Sequence, residues 1–156
     1  MSPEDIIISI IVGIGTGIST GFFTGNKVSN KFAIKAEKQK NYQELQNLLW
    51  SSNTLHVQLD DFLGNRAVDM QQRVYDTALK LRESTTIFTT QEQYIEKFTE
   101  DENKNLQDYH NFLVRLTNDF MSYPVSLTDK NISDKKTELI KYKFCILEQS
   151  ERIIKK

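Results

Sequence analysis

One cysteine, two prolines, two histidines and a single tryptophan leave several chemistries without material. A lone thiol cannot close an intrachain disulfide. Cys145, set among Phe144, Ile146 and Leu147, reads as a small core residue and not a reactive one. Neither His56 nor His110 lies in a Cys/His/carboxylate spacing that would hold a metal, and the sequence calls for no cofactor. No Walker loop, zincin helix, nucleophile elbow or Cys–His pattern occurs, so no reaction is implied. An excess of one charge is missing too. The 20 basic residues meet 21 acidic ones, a formal charge of -1, which is not the profile of a duplex-nucleic-acid binder. Glycine is scarce, and five of the six glycines fall between Gly13 and Gly25. That asymmetry divides the chain.

Residues 6–25 read "IIISIIVGIGTGISTGFFTG" and carry no charge. Twenty residues of helix span about 30 Å, the thickness of a bilayer's hydrocarbon core. Seven isoleucines, Val12, Phe22 and Phe23 favour insertion by about 3 to 6 kcal/mol on a per-residue scale. Five glycines and five hydroxyl residues oppose it. The expectation is a transmembrane helix of moderate hydrophobicity. A secretory signal peptide would want a basic lead, yet Glu4 and Asp5 precede the stretch. A dinucleotide-binding turn would want a third glycine where Thr20 stands, and a second strand after it. A buried core strand finds no sheet downstream. A glycine-rich fusion or lytic segment is the remaining alternative.

Ser9, Gly13, Gly17, Gly21 and Gly25 recur every four residues, with Val12, Thr16, Thr20 and Thr24 in the adjacent row. On a helix these rows form one small-residue face, while Ile7, Ile11, Ile14, Ile18 and Phe22 point largely elsewhere. Such faces let helix backbones approach closely in lipid, so self-association into a homo-oligomer, such as a tetramer, is expected. The plainer reading is that the glycines merely let the helix bend. Lys27, Lys31, Lys35, Lys38 and Lys40 follow at once, against the single acid Glu37. The positive-inside rule then puts the C-terminal part in the cytoplasm, on an inner-membrane, single-pass protein. These lysines also suit anionic lipid headgroups, at about 1 kcal/mol each near the surface.

The expected organisation is a transmembrane helix over 1–26, a basic juxtamembrane helix over 27–42 and a cytoplasmic helical domain over 43–156. Four apolar stripes of helical period support an all-α, four-helix-bundle-like fold. They are Leu45 to Leu63, Ala67 to Leu81, Ile95 to Phe120 and Leu139 to Ile153. Helices are predicted near 28–63, 66–86, 90–122 and 133–155. Gly64-Asn65 breaks the first pair and Pro124 ends the third helix. "SYPVSLTDKNISD" at 122–134 reads as a turn cluster, and the threonine-rich 84–93 disfavours a helix interior. Were residues 5–63 one unbroken helix, they would run about 90 Å. Gly25-Asn26 is a candidate hinge.

Asp60-Asp61 and Glu100-Asp101-Glu102 read as solvated helix ends, not as acid–base pairs. "QDYH" at 107–110 makes no triad, because consecutive helix positions face different ways. His56 lies in phase with the first stripe and reads as a hydrogen-bonded histidine at the core edge. Asn131-Ile132-Ser133 is a formal glycosylation sequon without meaning in the cytoplasm. Ligand binding has better candidates. Trp50 stands off the main leucine stripe, where an aromatic can stack on a base. Arg66 and Arg73 flank the predicted start of the second helix, where guanidinium groups can receive a phosphate. The plainer reading is a packed tryptophan and two solvated arginines.

The order of parts, the small size and "IIVGIGTGISTGFFTG" followed by lysine-rich helix give a layout that resembles the cyclic-oligoadenylate-responsive membrane effectors of type III CRISPR antiviral defence. The resemblance covers the whole chain in layout and supplies no specific motif, so no ligand residue is carried over. It implies a non-enzymatic bacterial effector. Its cytoplasmic domain would sense cyclic oligoadenylate, and its membrane helices would disrupt the bilayer or form a pore. A membrane-tethered scaffold that docks a protein partner is the alternative.

Overall fold

The computed structural model describes residues 32–156, apart from 93, 95, 96, 123, 154 and 156. The chain divides into two compact units, Met1–Lys40 and Asn41–Lys156. Its helices are α1 (Pro3–Gly64), α2 (Val68–Thr90), α3 (Glu92–Ile95), α4 (Glu100–Met121) and α5 (Asp129–Lys155). Among the described residues there is no strand. In the first unit, residues 32–40 are helical and exposed, Lys35, Lys38 and Lys40 included. The stretch 6–25, its ridge of Ser9, Gly13, Gly17, Gly21 and Gly25, and Lys27 and Lys31 lie outside the described residues. Among the described residues no helix is long and apolar enough to cross a membrane.

In the second unit, polar pairs at the helix edges reveal the direction of each helix. Asp60 meets Lys136 and Gln46 donates to Ser150 (3.0 Å), so α1 and α5 run antiparallel. Lys135–Asp119 (2.5 Å), Arg115–Glu138 (2.9 Å) and Arg152–Glu102 do the same for α5 and α4. The Thr85–His110 bond (3.0 Å) and the Gln71 amide on the Phe120 carbonyl (3.0 Å) set α2 antiparallel to α4. Ser52 meets Tyr109, and Phe62 packs edge-on against Phe120, so α1 and α4 are parallel. The arrangement is an up-down-up-down helical bundle.

Its core follows the apolar stripes. Leu45, Leu48, Leu55, Leu59 and Phe62 of α1, Val74, Ala78 and Leu81 of α2, Leu106, Tyr109, Leu113, Leu116 and Phe120 of α4, and Leu139, Tyr142 and Ile146 of α5 are buried together in one cluster. Among the described residues, four buried hydrophobic side chains fall outside the expected stripes: Phe88, Tyr94, Phe112 and Ile132. A buried large apolar side chain contributes about 1.5–3 kcal/mol, so these stripes dominate the fold's stability.

Three boundaries depart from the sequence reading, each for a local reason. α2 runs to Thr90 instead of 86. Its hydroxyls donate back to carbonyls one turn earlier, Thr86 to Arg82 (2.9 Å) and Thr90 to Thr86 (2.7 Å). Thr85 and Phe88 are meanwhile buried, so packing overrides weak helix propensity. The single helix expected over 90–122 is two, α3 and α4. A capping box starts α4: the Glu102 N–H donates to Thr99 Oγ1 (3.3 Å) and the Thr99 N–H to Glu102 Oε2 (2.8 Å). α5 begins at Asp129 instead of 133. Thr128 and Asn131 exchange the same pair of bonds, 3.2 and 3.1 Å, and the next residue, Ile132, plugs the core.

Candidate functional site

Arg66 is the best-engaged of the three residues singled out for ligand binding. One Nη donates to the Leu127 carbonyl (2.7 Å) and the other pairs with Asp129. The guanidinium also lies 5.3 Å from the centre of the Phe62 ring. It therefore ties the α1–α2 turn to the start of α5. Arg73 is exposed on α2. Gln71, between the two arginines, is buried and donates to the Phe120 and Ser122 carbonyls (3.0 Å each), capping the C-terminus of α4. Trp50 is 71% exposed on α1. Fourteen residues of helix separate it from Gly64, about 21 Å along the axis. Trp50 and Arg66 thus do not share one site.

A groove does form elsewhere, between α1 and α5, with a volume of about 380 Å³. Leu49, Asn53 and His56 form the α1 wall, and Ile140, Lys143, Phe144 and Leu147 the α5 wall. Both sets follow helical spacing, one side chain per turn or nearly so. Phe144 is 62% exposed, and Trp50 and Val57 flank Asn53 on the α1 surface. Large apolar side chains left in water beside a concave surface are the usual marks of a binding face. Trp50 is one helical turn from Asn53 and is not among the residues that line the groove. The signal was present in the sequence: Ile140, Phe144 and Leu147 form a second apolar row on α5, off the core row of Leu139, Tyr142 and Ile146. Cys145 is half-buried beside it.

The electrostatics of the groove are one-sided. His56 is half-buried, with Nδ1 3.9 Å from an Asp60 oxygen, too long for a hydrogen bond. Burial first, then the charges of Lys143 and Lys136, hold its pKa below the ordinary 6.5. Lys136 is paired with Asp60, whereas Lys143 has no ion pair among the described residues. His110 sits on the other side of the bundle, bonded to Thr85. Its pKa is also lowered, mainly by burial and further by the Arg82 charge, against a hydrogen bond at Arg82 that raises it.

The polar interior serves the fold. Tyr109 is bonded to Ser52 (2.6 Å), which donates to the Leu48 carbonyl (2.7 Å). Burial raises the Tyr109 pKa well above 10, and the short bond to Ser52 only partly offsets it. Tyr142 donates to Glu138 (3.1 Å); burial, then the Glu138 charge and its hydrogen bond, push the phenol up to about 12. A smaller cavity of about 180 Å³ lies between α1 and α2, lined in part by Asn47, Ser51, Ser84 and Phe88. Among the described residues no cluster of histidine, cysteine and carboxylates is arranged to hold a metal ion. No family model, curated protein or solved structure matches the chain.

Proposed function

We propose that this protein is a membrane-anchored, self-associating bacterial effector that acts without catalysis. Its helical bundle senses a ligand, and the membrane helices then perturb or permeabilise the inner membrane. The observation that supports this reading is an open groove in the second unit, walled on α1 by Leu49, Asn53 and His56, in a chain whose sequence also carries the uncharged, glycine-ridged stretch 6–25. Cyclic oligoadenylate is the ligand that the resemblance implies, and the cytoplasmic side is where the lysines put the bundle. The exposed Trp50, Val57 and Phe144 also favour a second reading, a tethered scaffold that docks a protein partner.

Dye-filled vesicles carrying the full chain test the effector reading. Cyclic oligoadenylate should trigger leakage, and native mass spectrometry should show the nucleotide bound at a fixed ratio to the protein. Binding of a lysate protein, with no nucleotide bound and no leakage under any of a panel of cyclic nucleotides, would support the scaffold instead.

A further inference from the structure

We propose that the α1–α5 groove binds a small anionic amphiphile, a monocarboxylate with a medium-length acyl tail. The inference is independent of the cyclic-oligoadenylate reading, because it uses only side chains of the second unit. The register between the two helices gives the groove a direction. Asp60 pairs with Lys136 near one end of the contact and Gln46 with Ser150 near the other. Between these two rungs, His56 stands level with Ile140, Asn53 with Lys143, and Leu49 with Leu147. Imidazole, amide and ammonium therefore share one half of the groove. Leu49 and Leu147 close the other half, with Phe144 alongside.

Each half selects a part of the ligand. Lys143 is half-buried, and no acid lines the groove to neutralise it. The groups facing His56 are Asp60 on its own helix and Lys136 and Lys143 on α5, and Asp60 is already bonded to Lys136. A carboxylate beside Lys143 supplies the missing counter-charge and accepts hydrogen bonds from the ammonium and the Asn53 amide. The apolar half takes the tail. Leu49 to His56, and Ile140 to Leu147, are seven residues apart, about 10 Å of helix, which suits an acyl chain of medium length. The groove's 380 Å³ falls within the range of small-ligand sites. A polyanion fits less well, because the polar groups are few and confined to one end. A second copy of the chain would bring another unpaired Lys143 and no groove carboxylate to meet it.

The chain's two histidines supply the readout and its internal control. The full chain, with carbon-13-labelled histidine, is placed in phosphatidylcholine nanodiscs and titrated by NMR with and without decanoate. Bound carboxylate should raise the His56 pKa toward its ordinary 6.5, reversing the effect of Lys143, and leave His110 unmoved. Methyl decanoate, with the same tail and no charge, should not raise it, and neither should acetate at the same concentration. Lys143→Met, with helicity unchanged, should weaken decanoate binding roughly five- to tenfold. Four results would overturn the proposal. These are no His56 response to decanoate, an equal response to the ester or to acetate, an equal shift at His110, and unaltered affinity in Lys143→Met. A His56 shift that follows protein concentration without decanoate would also overturn it, by showing that a second copy covers the groove.

Discussion

Removing the hydroxyl of Ser52 should cost more than removing its partner's, although both are buried. Ser52 has one hydroxyl hydrogen, and it goes to the Leu48 carbonyl at 2.7 Å. In the 2.6 Å contact between Ser52 and Tyr109 the phenol must therefore donate. Burial keeps that phenol protonated throughout the neutral range. Ser52→Ala strands the phenolic O–H in a core position only 1% exposed. An unpartnered buried donor costs about 1–3 kcal/mol. Tyr109→Phe keeps the ring on Tyr142, 5.2 Å between centroids, and loses only the net bond, about 0.5–1.5 kcal/mol. The double variant leaves neither group stranded, so it should fall short of the summed single costs by about 1 kcal/mol. For a domain of about 120 residues, 1 kcal/mol moves Tm by about 4 °C. Urea and thermal unfolding of residues 41–156, followed by far-UV circular dichroism, measure all three variants. Strictly additive costs, or a costlier Tyr109→Phe, would refute the assignment of donor and acceptor. The alkaline limb gives a sign check. An unfolded phenol ionises near 10 and the folded one higher, so stability falls as pH rises above about 10. Tyr109→Phe should flatten part of that fall.

On the acid limb, burial alone would raise the Glu102 pKa, but hydrogen bonds from Arg152 and from Thr99, together with the Arg152 charge, hold it below the ordinary 4.5. The stability from this carboxylate is therefore present above that value and lost as pH falls through the folded pKa. Arg152→Met should cost about 1–3 kcal/mol near neutral pH and visibly less in acid, as urea titrations at both pH values would reveal. Thr99→Ala removes the cap of α4 and should cost about 1 kcal/mol by the same assay, with an equal loss in Thr99→Ser arguing that the hydroxyl is irrelevant. Gly17→Ile adds apolar surface and should preserve insertion, yet crosslinking in the membrane should drop, while Ile14→Leu changes little. Unaltered crosslinking in Gly17→Ile would leave the bundle as the seat of any oligomer.

Periodicity alone specified most of the apolar residues of the second unit that face inward, because an amphipathic helix buries one side chain roughly every 3.6 positions. Leu45, Leu55, Leu59, Val74, Leu113 and Leu139 are all buried on the stripes read from the sequence. Gly64-Asn65 ended α1, as glycine and asparagine do where an apolar repeat stops. Composition likewise left the chain without an obvious reaction centre. Helix ends were harder to read, since hydroxyl residues can either cap a helix or bond back into it. Thr86 and Thr90 bond back inside α2, while Thr99 and Thr128 cap α4 and α5. Tertiary packing decided between those uses by burying Phe88 and Ile132.

The functional side chains show the same division. Trp50, Arg66 and Arg73 stood out in the sequence by residue type, but type does not say which partners a side chain will meet. Folding put Asp129, Leu127 and Phe62 around Arg66, making an inter-helix tie of it. It brought Leu49, Asn53 and His56 opposite Ile140, Lys143, Phe144 and Leu147, residues some ninety positions away in the chain. Sequence sets the apolar row on each helix. Only the antiparallel register of α1 against α5 turns two such rows into one groove, because that register is fixed by distant pairs such as Asp60 with Lys136.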